Sequence, residues 1–280
     1  RDFYHWAKSV GCYRDTRING HPWRPPAGWR GVEVMEELNQ KFFPEYGVRL
    51  DAKNIPNYPK SQVIVDLVTP SPQAAAEAKA AYALLRDEIR NPEKAKTDLT
   101  RLLRYRQQVE HAKVPVLIEL AEDGLADGNS VVCAFNFTEP MEQAKRRLAA
   151  WNPACIYGTD SSGRSQSETA RQAEIDRFQC NQTRVLLIMI QAGGVGLSLE
   201  DADGDHPRLL LTNLPLDTVG LLQVLGRCAR ANSRSPTVNR VVLLDGVAVE
   251  EKVFRILNKK VGNLSALQND DLNLEKLLEK

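Results

Sequence analysis

The rhythm of apolar and polar positions changes once along the chain, near Gly128. Before it, residues 62–69, QVIVDLVT, alternate with a period of two and predict a strand. The stretch from Ser71, SPQAAAEAKAAYALLRDEIRN, is alanine-rich, carries a Ser cap signal and has no internal glycine or proline, so it predicts a helix. A second helical pattern runs to about His111 and a third from Pro115 to Ala126, divided where the proline falls. After Gly128 short β-rich runs alternate with amphipathic helical ones: SVVCAF, EPMEQAKRRLAAW, ACIYG, SETARQAEIDRFQ, RVLLIMI, a glycine turn, RLLLTN, TVGLLQVLGRCAR, RVVLLD and VEEKVFRILNKK. Strands alternating with helices of this length predict an α/β fold over residues 129–262, a doubly wound parallel sheet with helices on both faces.

Residues 1–60 have a different texture. Phe3, Tyr4, Trp6, Tyr13, Trp23, Trp29, Phe42, Phe43, Tyr46 and Tyr58 crowd into them, with prolines and glycines around HPWRPPAGWRG, which predicts a mostly helical, loop-rich segment. Met35, Leu38, Phe42 and Phe43 have helical spacing in MEELNQKFFPEYG, which ends at a proline. These aromatics are read as core. The chain opens at Arg1 directly into a helix-like pattern, from which a longer parent chain is expected.

Composition narrows the function classes. With 42% hydrophobic and 26% charged residues the chain can bury a sizeable core, and a formal net charge of +1 means that any nucleic-acid contact must come from local patches. Cys12, Cys133, Cys155, Cys180 and Cys228 lie far apart without a CxxC pair, which predicts reduced thiols and no zinc site. No apolar stretch reaches the length of a membrane span and the start lacks the pattern of a signal peptide, so no membrane partner is expected and the location is expected to be intracellular.

Three loops follow strands of the predicted sheet, at the edge where such folds build sites. QAGGVGLSLEDA, residues 191–202, offers glycines that let backbone N–H groups approach an anion, but its spacing from Gly194 and Gly196 reaches Leu199 where a dinucleotide fingerprint needs a third glycine. IYGTD, residues 156–160, runs from a strand into Gly158, Thr159 and Asp160. LLQVLGRCARANS places Arg227 and Arg230 three apart, so that on a helix they share a polar stripe with Gln223 while Leu221, Leu222, Val224 and Leu225 point inward.

A glycine loop, a strand and then Q-x-x-G-R-x-x-R resemble the second RecA-like domain of superfamily 2 helicases and translocases. AGGVGLSLEDA resembles motif V of that family, most like its Snf-type members, and QVLGRCAR, residues 223–230, resembles motif VI. SVVCAFNF and IYGTD resemble motif IV and the nucleic-acid-facing loop after it, VAVEEKVFRIL resembles a Snf-type helix, and VGNLSALQNDDL resembles tails of viral and phage members. The resemblance covers about residues 60–272, with one departure: Met189 stands where the family has Ser or Thr, so a phosphate contact of relatives loses its hydroxyl.

The resemblance implies an ATP-dependent helicase or translocase whose nucleotide lies between two RecA-like domains. Arg227 and Arg230 would be arginine fingers on the γ-phosphate, with Gln223, Gly226, Gly196 and Ser198 about the ATP. Asn136, Gly158, Thr159, Gly193 and Gly194 would hold nucleic-acid backbone, expected to be DNA. Residues 1–60 would be the tail of the first RecA-like domain and its linker, 61–128 a strand and helical insertion, 129–262 the RecA-like domain and 263–280 a tail. No G-x-x-x-x-G-K-[ST] occurs, and the Asp87-Glu88 pair reads as a helix face, so ATP and Mg2+ would need the upstream domain, and the chain alone is expected to be inactive. A non-catalytic nucleic-acid-binding or interaction module, and a nucleotide-sugar transferase using the glycine turn, are the alternatives.

Overall fold

A computed structural model describes His5 and residues 16–18, 21–23, 31–43, 45–48, 55–56, 58–90, 98–192 and 197–268. They divide into two compact units, one drawn from residues 1–56 and 255–279, the other from residues 57–254. In the first, β1 (Thr16–Ile18) and β2 (His21–Trp23) pair antiparallel with Ile18 opposite His21. The residues between them are Asn19 and Gly20, a pair whose tolerance of positive φ makes it the strongest short hairpin signal, and the helical reading of residues 1–60 passed over it. α1 (Gly31–Phe42) stops before Pro44.

The second unit is a six-stranded, all-parallel sheet covered by helices, the doubly wound α/β architecture expected from the alternating pattern. Its strands are β3 (Ser61–Val68), β4 (Ser130–Phe135), β5 (Ala154–Ile156), β6 (Val185–Met189), β7 (Arg208–Thr212) and β8 (Thr237–Leu244), in the order β3-β8-β7-β4-β6-β5. The helices are α2 (Pro72–Arg90), α3 (Asp98–Ala126), α4 (Thr138–Arg147), α5 (Glu168–Gln179), α6 (Thr218–Leu225) and the start of α7 (Ala248–Gln268). Asp87 and Glu88 fall within α2.

Period two explains how both sheet faces are buried. Val131, Cys133 and Phe135 of β4 join one core with Val114, Leu117 and Ala121 of α3, Met141 and Ala144 of α4, and Leu148 just after it. The intervening Val132 and Ala134 are buried as well, which requires cover on the opposite face. β4 passes to β5 on one side and β7 to β8 on the other, so right-handed crossovers put α4 and α6 on opposite faces. The divergence leaves a crevice between the carboxyl ends of β4 and β7, where doubly wound folds bind ligands.

Two expectations upstream of Gly128 change. The helix read as ending near His111 and the one read as starting at Pro115 are a single helix, α3, with Pro115 inside it. An interior proline costs a helix about 3 kcal/mol, but Val114, Leu117, Ile118 and Leu125 are all buried and each contributes roughly 1.5–3 kcal/mol, so packing carries the helix through. Gly128, at φ 90°, then breaks it. The stretch 61–128, read as leading into the domain, is built into it. β3 pairs with β8 along its length, from Ser61 opposite Thr237 to Val68 opposite Leu244, and Arg240 holds Asp66 with a two-pronged ion pair at 2.7 and 3.1 Å.

Candidate functional site

The residues singled out from the sequence separate into two regions of the second unit. Those read as arginine fingers leave the carboxyl edge. Asp217 caps α6 by accepting from Val219 N at 3.2 Å and Gly220 N at 2.7 Å, and α6 then runs back along the sheet. It ends at Leu225, with Gly226 as its C-cap, so Arg227 and Arg230 sit in the turn beyond it, where a helical stripe with Gln223 was expected. Gly226 N donates to Leu222 O at 3.1 Å, the last helical bond before the chain turns away. Gln223 itself is exposed on α6. Cys228 O accepts from Thr237 Oγ1 at 3.2 Å, which places this turn at the amino end of β8.

Both guanidiniums converge on one atom. Arg227 Nη1 donates to Leu197 O at 3.2 Å and Arg230 Nη2 donates to the same oxygen at 3.3 Å. Arg227 is buried, and burial together with the like charge of Arg230 pushes its pKa down. Arg230 Nε is buried without a hydrogen-bond partner. Two fixed positive charges thus share one neutral carbonyl, and that geometry retains the capacity to bind an anion.

The carbonyls after the glycine turn are fixed one by one. Ser198 O accepts from Gln179 Nε2 at 2.9 Å, Leu199 O and Glu200 O from the Arg208 guanidinium at 3.0 and 3.2 Å, and Asp201 O from Arg234 N at 2.8 Å. Arg208 is wholly buried, stacked 4.6 Å over the Phe178 ring, and burial lowers its pKa. Sequence reading took Arg208 as the first residue of an apolar strand; a charge opening the run RLLLTN was the available signal. Ser198 is exposed, while Gly193, Gly194 and Gly196 lie outside the described residues.

The other region is the carboxyl edge. Gly158 and Thr159 follow β5 and are exposed. Among the described residues a Cβ at Gly158 would meet only Ala192 Cβ, at 3.9 Å, and the contact sets this loop beside the start of the glycine turn. Thr159 pairs with Ser165 across a short bridge, held from below by Asp160, whose Oδ1 accepts from Ser162 Oγ at 2.6 Å and Arg164 N at 2.9 Å. These bonds, the Ser162 side chain first, hold the Asp160 carboxyl below its usual range. A groove of about 660 Å³ beside the loop carries Lys145, Arg164 and Arg177 together with Asp160 and Glu174.

Asn136 is engaged inward. Its Nδ2 donates to Glu110 Oε2 at 2.8 Å and to Leu214 O at 3.0 Å, so both amide hydrogens are taken by the protein. Glu110 Oε1 accepts Asn136 N at 2.8 Å and Phe137 N at 3.2 Å, capping α4, whose own N-cap residue Phe137 supplies no side-chain bond. Arg106 also donates to Leu214 O, and Lys113 Nζ binds Glu250 Oε1 at 2.8 Å and Val242 O at 3.2 Å. Sequence reading named none of Arg106, Glu110 and Lys113. Their positions in YRQQVEHAK fit any polar helix face, and only the tertiary fold buries them.

Comparison with known proteins follows the same line. No family model matches the chain. It is 32% identical over 235 residues to "Putative ATP-dependent RNA helicase L364" of Acanthamoeba polyphaga mimivirus, an alignment covering 83% of this chain and 42% of that protein. The chain therefore spans less than half the length of that relative. Among solved structures it matches the C-terminal part of the Fun30 ATPase domain at 14% identity and TM-score 0.44, covering 89% of this chain and 91% of that one. It also matches the E. coli DEAD-box protein SrmB, solved with the regulator of ribonuclease activity A, at 16% identity and TM-score 0.39, covering 54% and 79%. The helicase resemblance of the motifs is thus met in a relative aligned over most of the chain, one named for RNA where DNA was expected. No described helix is long and apolar enough to cross a membrane.

Proposed function

We propose that the chain is the carboxyl-terminal RecA-like half of an ATP-dependent nucleic-acid helicase or translocase, and that Arg227 and Arg230 complete an ATPase site whose phosphate loop and magnesium ligands lie in a preceding RecA-like domain. The observation that carries this reading is the convergence of two guanidiniums on Leu197 O, with Arg230 Nε unpartnered. A fork of fixed positive charge matches phosphate oxygens on which negative charge spreads during transfer. The residues fit that task because a neutral carbonyl holds a guanidinium less strongly than a phosphate oxygen does.

ATP bound between the two domains would supply the phosphoryl group, and Mg2+ would neutralise charge beside it. What this chain's own residues do is orient and exclude: Gln179, Arg208 and Arg234 fix the carbonyls of Ser198 to Asp201, so the oxygen that holds both arginines belongs to a rigid segment. Gln223, Gly226 and Ser198 are the further residues about the ATP in this reading; Gly196, assigned to the same task, lies outside the described residues. At the carboxyl edge, Gly158, Thr159, Gly193 and Gly194 hold backbone phosphates of one strand, which gives little base preference. Asn136, with both amide hydrogens taken, serves that grip by shaping the loop.

The test has two parts. Hydrolysis is measured with a phosphate-loop domain joined to the chain, where Arg227→Ala and Arg230→Ala should abolish turnover while nucleotide binding persists. Binding to single-stranded DNA and RNA of one sequence is followed by anisotropy across a salt series; weak, salt-dependent binding is expected, and a preference for RNA would move the substrate from DNA to RNA. Unchanged hydrolysis in both arginine variants leaves the non-catalytic module as the reading.

A further inference from the structure

The crevice between the carboxyl ends of β4 and β7 is where a doubly wound sheet presents a helix N-terminus to a phosphate. In this unit something already sits there. The Glu110 carboxylate, delivered from α3, accepts the backbone N–H of Asn136 and of Phe137 at 2.8 and 3.2 Å, and the Asn136 side-chain amide at 2.8 Å. Burial pushes the pKa of this carboxyl up, but all three partners are donors and Lys113 lies near, and among the described residues a protonated carboxyl would have no acceptor for its hydrogen, so the geometry suits the ionised form. On the far side, Lys113 stands at ion-pair distance from Glu250, and Arg106 donates to Leu214 O.

We infer that Glu110 is a built-in anion that occupies the phosphate position of this sheet and so closes the unit's own crevice to nucleotide and to nucleic-acid phosphate. Three observations converge. Glu110 is 3% exposed. Its Oε1 sits on the N–H of Phe137, the N-cap of α4, and of Asn136 just before it, in the strand-to-helix loop where a phosphate at this helix N-terminus would be held. The cavity left among Arg106, Glu110, Lys113 and Glu250 is about 10 Å³, too small to hold a water comfortably and far too small for a phosphate. Nucleotide therefore meets this unit only from outside, and Asn136 acts as part of the lock. This inference stands on the geometry of α3 and α4 and holds or fails independently of the arginine reading.

The experiment removes the internal anion and offers an external one. The 280-residue chain and its Glu110→Ala and Glu110→Gln variants are melted in potassium chloride and in potassium phosphate at matched ionic strength and pH. Glu110→Ala should gain a phosphate-specific rise in melting temperature, roughly 3 °C or more at ten times its Kd, that the parent chain lacks. Glu110→Gln, which fills the space without the charge, should not gain it. If Glu110→Ala fails to fold in chloride, its folded yield on refolding in phosphate against chloride reads the same thing, with rescue expected. A merely structural glutamate predicts loss without any gain of phosphate binding. Absence of a phosphate-specific effect in the alanine variant, by either reading, or an equal gain in Glu110→Gln, overturns the inference.

Discussion

Two clusters of buried charge lie in one unit and obey opposite rules. Around Glu110 the charges are matched: Lys113 and Glu250 pair at 2.8 Å, and the Glu110 carboxylate is saturated with donors. Around Leu197 two cations converge on one carbonyl, and burial, with the like charge of Arg230 added, depresses the pKa of Arg227. A matched cluster is a joint: it ties α3 to the ends of β4 and β8 and to the first turn of α7. Like charges brought together where they are partly desolvated cost stability, and in the proposed reading an anion of opposite sign offsets that cost. The difference separates residues that hold the molecule from residues that wait for something.

The largest effect that would break this comparison lies in turnover. With a phosphate-loop domain present, Arg227→Ala or Arg230→Ala should lower the maximal hydrolysis rate by on the order of a thousandfold or more and change ATP affinity far less. Lysine should restore little, because a point charge cannot reproduce the fork. Next in size is the matched cluster. Lys113→Met leaves Glu250 buried without its partner and should cost about 3–5 kcal/mol in denaturant unfolding, whereas Lys113→Met combined with Glu250→Met should recover most of that loss. A single variant as stable as the parent would mean that the pair is no joint.

What could be read from the sequence follows the range of the interaction that decides it. Alternation of VVCAF or RLLLT with helical stretches is a local pattern, and the strands β4 to β8 stand where it put them. The pairing of β1 with β2 had an equally local signal in the sequence pair Asn19-Gly20 and was missed because the surrounding aromatics were weighed as helical. Pro115 misled because its local cost is outweighed by burial of Val114, Leu117 and Ile118 against strands from the other half of the chain. The arginines were identified as a pair, but Gly226 ends the helix before them, so their shared acceptor, Leu197 O, could not be inferred from helical spacing. Glu110 and Lys113 find their partners 26 and 137 residues away, and no periodicity carries that information.

A smaller effect sharpens the reading of the carboxyl edge. Thr159→Ala and Gly158→Val should each weaken single-strand binding about equally across sequences, by roughly 1 kcal/mol or less for the threonine, measured by anisotropy at two salt concentrations. Gly158→Val should leave stability nearly unchanged, since among the described residues the nearest atom to a Cβ there is Ala192 Cβ at 3.9 Å. Binding that is unmoved in both variants, with the fold intact, would take the β5 loop out of the nucleic-acid path.

The smallest expected change is the most direct probe of surplus charge. In the 280-residue chain alone, Arg230→Ala removes a half-buried guanidinium whose described bond is 3.3 Å to a carbonyl that Arg227 also serves, and whose Nε is buried unpaired. A hydrogen bond to a charged group contributes about 1.5–3 kcal/mol when well made, but here the acceptor keeps its other donor, and loss of Arg230 relieves repulsion on Arg227. These terms oppose one another, so the net change in unfolding free energy should stay within about 1 kcal/mol of zero, and stabilisation is an acceptable sign. Urea unfolding of the variant beside Lys113→Met decides between the two kinds of cluster. If Arg230→Ala destabilised the isolated chain as much as Lys113→Met does, Arg230 would be a structural joint like its counterpart, and its claim on a phosphate would fall.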